Sequence, residues 1–201
     1  MRKLALAVML LPLPALAQKP APATARTEAF IAALLKVKPD DGKLSAADKA
    51  ANEKAFTELD GFFDYDYLTS APISKRADKF TAEQKADFQK KFRELIRLVA
   101  YPDSGAFFKK AKYTLKPPVE KGEQVDVTID AKVVKDDLET KVDLHWKQVK
   151  GALRIFDVSF DGDSLVKDYQ AQFNKIIDKD GSKGLIERVE KKRAELDKKE
   201  K

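Results

Sequence analysis

The sequence predicts an α+β domain in which a curved four-stranded antiparallel sheet packs against amphipathic helices. Three observations carry that assignment. Val125, Val127, Ile129, Ala131 and Val133 alternate with polar residues, as do Val142, Leu144 and Trp146, the pattern of strands with one apolar face. Phe88, Phe92, Leu95, Ile96 and Val99 recur at helical spacing. Between Leu153 and Ile177 the period changes once, from strand to helix, across Asp161-Gly162-Asp163.

The chain opens with an export signal over residues 1–17. Arg2 and Lys3 precede an apolar run, Leu4 to Leu13, and Ala15-Leu16-Ala17 supplies a small-residue site, so cleavage is expected after Ala17. The run is too short for a membrane span, which needs about 20 residues. Residues 18–26 are Pro/Ala-rich and predict a disordered linker. A single domain is expected over 27–190, followed by a charged tail, 191–201. Removing Arg2 and Lys3 from the 39 basic residues leaves 37 against 33 acidic ones, about +4. Acidic residues are interleaved with the lysines, which argues against nucleic acid as a partner. The chain has no cysteine, so no disulfide and no lipidation site.

Within the domain, Thr27 to Lys38 reads as a helix with the stripe Phe30, Ile31, Leu34 and Leu35, ended by Pro39-Asp40-Asp41-Gly42. Ser45 with Asp48 opens a second helix that buries Phe56 and Leu59. Gly61 separates it from a short helix in Phe62 to Leu68, with Pro72 and Ile73 in a turn. Thr81 with Gln84 forms a capping box for the longest helix, which Pro102-Asp103-Ser104-Gly105 is expected to end. Four strands follow: one before Pro117-Pro118, the two alternating runs above, and one from Leu153, entered through a Lys150-Gly151 turn. Simple alternation puts Phe156, Val158 and Phe160 on one face of the last strand and Leu153 and Ile155 on the other. From Ser164 a helix carries Leu165, Tyr169, Phe173, Ile176 and Ile177, and a final helix after Gly181 carries Leu185, Ile186 and Val189.

Catalytic signals are weak. His145 is the only histidine, stands on the polar side of its strand, and has no evident Ser or Cys partner. Asp64 and Asp66 point apart and read as cap and surface. In Asp178-Lys179-Asp180-Gly181 the glycine is fourth and Glu187 tenth, where a calcium-binding EF-hand loop needs sixth and twelfth. Asp157, Asp161 and Asp163 read as helix caps at the turn, with a calcium site as the alternative. No catalytic residue, metal ligand or cofactor is expected.

Asp157-Val158, Gly162, Ser164-Leu165-Val166, Tyr169 and Phe173, followed by Gly184-Leu185-Ile186, resemble the C-terminal signature of the MlaC family, periplasmic phospholipid-binding proteins once called toluene-tolerance proteins. Thr81, Glu83, Gln84, Phe88, Phe92 and Leu95 match that family's long helix, and Phe63-Asp64-Tyr65 resembles its element before it. The matches run from about residue 60 to about 187. Asp168 and Gln170 depart from the family's usual Asn and Arg, and Leu153 stands near its usual Trp.

The resemblance implies a periplasmic, monomeric carrier that encloses the acyl chains of a phospholipid between sheet and helices, leaving the head group in water. Its implied protein partners are an outer-membrane lipoprotein–porin complex and an inner-membrane ABC transporter with an MCE-domain protein. Stripe position and matching motifs together mark Tyr65, Leu68, Phe92, Leu95, Val99, Val127 and Ile129 as lipid contacts. Leu144, Trp146, Phe156, Val158, Leu165, Tyr169 and Phe173 complete that set. The hydroxyls of Tyr65, Tyr67 and Tyr169 are candidates to face glycerol or phosphate, and Lys85, Lys90, Lys91 and Arg97 to meet acidic partners.

A curved sheet with helices on its inner face makes a cone of nuclear-transport-factor type. If the helices stand off, the apolar stripes line a pocket; if they close, the same residues are core. Two rivals therefore stand beside the carrier: an enzyme acting on a small apolar substrate, and an adaptor with a filled core.

Overall fold

The structure is a computed structural model that describes residues 22–39 and 44–199. The expected export signal and the first four residues of the expected linker lie outside the described residues. The rest of that linker is helical. Helix α1 spans Pro22–Lys36: proline suits a first helical turn, alanines follow it, and Ala23 and Thr27 are buried.

Helix α2 (Ala46–Asp60) is capped by Ser45, whose side chain accepts from the Asp48 amide, and α3 (Tyr65–Ser70) by Asp64, which accepts from the Tyr67 amide. The expected turn at Pro72-Ile73 is instead part of a 3-10 helix, Ala71–Lys79. Helix α4 (Ala82–Lys110) carries the full capping box of Thr81 and Gln84.

Helix α4 also runs straight through its expected terminator, Pro102-Asp103-Ser104-Gly105. Pro102 removes one backbone donor, but Tyr101 and Phe108 on either side are buried and hold the helix in place. Gly105 is a crossing point rather than a stop. A Cβ there would lie 2.8 Å from the Leu34 carbonyl oxygen and 3.3 Å from Val37 Cβ, so α1 can approach only because the side chain is missing.

The sheet has six strands where four were expected: β1 (Lys112–Leu115), β2 (Val119–Lys121), β3 (Gln124–Val133), β4 (Leu138–Val149), β5 (Ala152–Phe160) and β6 (Asp163–Ser164), all pairings being antiparallel. The order is β1-β3-β4-β5-β6, with β2 also on β3. The two additions are short. β1 and β2 share one edge of β3, and Pro117-Pro118 divides them because proline has no amide to donate. Asp161 and Gly162, both at positive φ, form a two-residue hairpin that folds β6 back onto β5.

Simple alternation fails along β5. Trp146 pairs with Ile155 but His145 with Asp157, so Phe156 is an extra residue in a bulge. The bulge shifts the phase: Ile155, Val158 and Phe160 stand with the apolar residues of β4, and Phe156 turns to the opposite face. Beyond β6, helix α5 spans Leu165–Lys199 and breaks at Gly181 (φ 71°, ψ 178°), a conformation open to glycine. The helix continues through most of the expected charged tail, supported by Arg193, which pairs with Glu190 at 2.7 Å and Glu94 at 3.5 Å.

Gly105→Ala is expected to lower stability by about 1–3 kcal/mol, the usual cost of overpacking. Thermal unfolding checks this; an unchanged midpoint would show that α1 tolerates displacement at the crossing.

Candidate functional site

Buried apolar residues form two clusters. The first lies between the sheet, α1, α2 and the C-terminal half of α4, and includes Phe30, Leu34, Tyr101, Val127, Leu144, Trp146 and Ile155. The second joins the 3-10 helix, the N-terminal half of α4 and both arms of α5, and includes Ile73, Phe88, Phe92, Phe173, Ile177 and Leu185. Phe88 and Phe92 stack at 5.5 Å, and Phe173 meets both edge-on at 5.6 and 5.1 Å.

The fourteen residues marked by sequence divide between these clusters. Val127, Ile129, Leu144 and Trp146 belong to the first, with Val158 packed at its margin. Phe92 and Phe173 belong to the second, with Leu95 and Tyr169 at its margin. Tyr65, Leu68, Val99, Phe156 and Leu165 belong to neither. The changeover falls along α4, where Ile96 still packs on the second cluster and Ala100 already packs on the first. Glu94 through Ala100, an apolar stretch apart from Glu94 and Arg97, stay half-buried there. Val158 packs at the margin of the first cluster and Tyr169 at the margin of the second, and α5 packs on β5. Burial alone pushes the Tyr169 phenol up from its ordinary pKa.

One marked residue, Phe156, points elsewhere. The Phe156 ring packs edge-on against Tyr67 at 5.6 Å, on the polar face of the sheet. Lys147 Nζ lies 4.3 Å from the Tyr67 ring and 2.8 Å from Asp64. The Tyr65 hydroxyl shares a 2.6 Å hydrogen bond with that of Tyr101, which donates to Asp60 at 2.8 Å. Burial raises both phenol pKa values. Arg93 and Arg97 reach the same Asp60 carboxylate at 3.0 and 3.4 Å. Arg97 and Lys91, candidates for partner contacts, are thus already engaged; Lys91 pairs with Asp87 and Glu190. Gln170 ties α5 to the 3-10 helix, donating to the Ala71 carbonyl at 2.9 Å and to Ser74 Oγ at 3.1 Å.

His145 does have a serine partner, contrary to the sequence reading. Its Nε2 lies 2.8 Å from Ser159 Oγ and its Nδ1 2.7 Å from Asp126 Oδ1, across β5, β4 and β3. Strand register creates this pairing, and residue spacing gave no sign of it. The order is that of a hydrolase triad, but the surroundings oppose an oxyanion. Ser159 is 5 % exposed and sits opposite Asp143, with Asp157 beside it, and Lys121 holds Asp126 at 2.7 Å. A groove of about 490 Å³ at the far end of the sheet is lined by charged residues, including Lys112, Asp130 and Lys141, and by none of the fourteen. Among the described residues no three His, Asp or Glu side chains gather as a metal site, and no helix is long and apolar enough to cross a membrane.

An antiparallel sheet covered by helices on its apolar face, with a half-buried apolar seam between two clusters, defines an α+β protein organised around its hydrophobic interior. The family model described as MlaC protein matches residues 28–191, and the chain belongs to that family. Its fold is similar to that of a phospholipid-binding protein from Ralstonia solanacearum, solved in complex with a phospholipid. The TM-score is 0.68 at 20% identity, covering 88% of this chain and 99% of that one. No curated protein matches the chain in sequence.

Burial of Asp126 raises its carboxyl pKa, but hydrogen bonds from Lys121 and His145 and their charges outweigh burial and hold it below the usual carboxylate value. A depressed carboxylate stabilises the fold above its unfolded pKa, about 3.9 for Asp, and that contribution is lost as pH falls through the folded value. Asp126→Asn is therefore expected to flatten the loss of thermal stability below about pH 4. Parallel curves for both proteins would contradict this.

Proposed function

We propose that this protein binds a phospholipid, with the acyl chains inserted along the α4 seam between the two apolar clusters. On this reading it carries the lipid through the periplasm between outer and inner membranes, with no covalent chemistry. The observation that carries the reading is the half-buried stretch of Leu95, Ile96, Leu98 and Val99, apolar surface left incompletely covered where α4 passes from one cluster to the other. Membership of the MlaC family and a structural neighbour solved with phospholipid support it.

The energetics fit a carrier. Each buried methylene is worth about 0.8 kcal/mol, so two long chains bring on the order of 20 kcal/mol relative to water. Such a lipid moves only between apolar surroundings of similar quality. Phe and Leu side chains around a seam supply these, and docking to a lipoprotein–porin complex and to an MCE-domain ABC transporter would deliver and remove the cargo. The Ser159-His145-Asp126 contact favours an enzyme, but its acidic, enclosed setting makes it a sheet-bracing network on this reading.

Native mass spectrometry of the mature protein, followed by organic extraction, tests the proposal. A one-to-one adduct with the mass of a diacyl phospholipid is expected. Leu95→Asp is expected to cut lipid occupancy at least tenfold, because a charge in apolar surroundings costs well over 1.4 kcal/mol, while Leu35→Asp, at an exposed position of α1, leaves it unchanged. A lipid-free mass under gentle conditions would sink phospholipid capture and favour the filled-core adaptor.

A further inference from the structure

Trp146 combines two features that the packing of the core does not account for. Its side chain is 0 % exposed, inside the first cluster, paired across the sheet with Val125 and Ile155. Yet its indole N–H has no hydrogen-bond partner among the described residues. An enclosed donor without an acceptor loses its bonds to water with no return, and such groups are rare in folded proteins. Phenylalanine or leucine would fill an apolar site at no such cost. A second polar atom shares the condition: Thr27 Oγ1, also 0 % exposed and also unpartnered, on α1, which packs on β3, the strand next to Trp146.

The backbone also changes at this residue. The β4–β5 register shifts between His145 and Trp146, where the bulge at Phe156 falls. Bulges re-aim the side chains at which they occur and are frequent beside binding sites. Here the shift keeps Trp146 and Ile155 together on the apolar face while the extra residue turns outward. The indole is thus held rigidly among apolar side chains with one donor to offer.

An acyl ester carries an acceptor suited to that donor. Its carbonyl oxygen accepts a hydrogen bond yet enters apolar surroundings far more readily than a phosphate or a carboxylate. We propose that the Trp146 indole N–H donates to an ester carbonyl of the enclosed lipid, so that the protein selects acyl esters over alkyl ethers. This rests on the phospholipid reading above. It adds a polar recognition element to a site otherwise built from apolar contacts.

The test loads the delipidated mature protein with an equimolar pair, a diacyl phosphatidylglycerol and its dialkyl-ether counterpart of equal chain length, and reads occupancy by native mass spectrometry. The expected result is a diester preference of about two- to tenfold, the range of one neutral hydrogen bond, abolished in Trp146→Phe while both lipids still load. Because Trp146 is the only tryptophan, its single indole ¹⁵N–¹H resonance gives a readout that needs no mutation. It should move downfield with the diester and not with the ether. Equal loading of the two lipids, or the same indole resonance with both, overturns the assignment and leaves a water as the partner. If neither lipid loads, the phospholipid reading falls with it.

Discussion

Helix α4 is the constraint on which the rest of the fold depends. Its 29 residues, at about 1.5 Å each, span roughly 40 Å, more than one apolar cluster covers. The N-terminal half therefore buries Phe88 and Phe92 under α5 and the 3-10 helix, and the C-terminal half buries Tyr101 and Phe108 under α1 and the sheet. A helix shared in this way has a stretch that belongs fully to neither partner. The seam at Leu95 to Ala100 follows from the length of the helix that joins the clusters.

Two contacts hold α4 in that position. At Gly105 the missing side chain lets the Leu34 carbonyl approach, locking α1 across the helix. At Asp60 one carboxylate gathers Tyr101, Arg93 and Arg97, and Tyr101 passes the connection to Tyr65 on α3. The guanidinium of Arg93 also lies 4.4 Å from the Tyr65 ring. Removing any one member leaves a partner's polar group under-satisfied near the core, which is why such networks specify position more strongly than their pairwise energies suggest. The end of α2, the start of α3 and the middle of α4 are fixed by one carboxylate.

Local chemistry made much of this legible in the sequence. The capping box of Thr81 and Gln84, the alternation of Val125 to Val133 and the positive-φ turn at Lys150-Gly151 each depend on neighbours in the chain, and each stands in the structure where the residues placed it. What escaped depends on partners far away. Pro102 and Gly105 look like a helix stop until α1 is known to cross there. Phe156 looks like a core residue until register shows an extra residue in β5. His145 gains Ser159 and Asp126 only once three strands are aligned, and the start of α1 at Pro22 depends on burial of Ala23 and Thr27. The buried apolar stripes were readable; their division between two clusters was not, because periodicity says which side of a helix is buried and nothing about what buries it.

The two clusters are tied together by contacts of different quality. On the sheet side, β3, β4 and β5 are joined by continuous ladders, and Phe62 to Asp64 add backbone hydrogen bonds of 2.7 and 2.9 Å to Ile155. On the other side, Gln170 and the Arg76–Asp178 pair clamp α5 to the 3-10 helix, so those two elements behave as one unit. That unit meets α4 through Phe88, Phe92 and Phe173 and through surface ties such as Lys91–Glu190 and Ser182–Gln84. Asp157 ties β5 to the start of α5, accepting from Ser164 Oγ and from the Val166 amide at 3.1 Å. Exposed ion pairs contribute about 0–1 kcal/mol each, so α5 is held on α4 mainly by apolar contacts. Acyl chains offer the same kind of contact. A lipid lying between Val158 and Tyr169 would replace protein–protein apolar contacts with protein–lipid ones at little net change, while the ladders and the Asp60 network keep the frame intact.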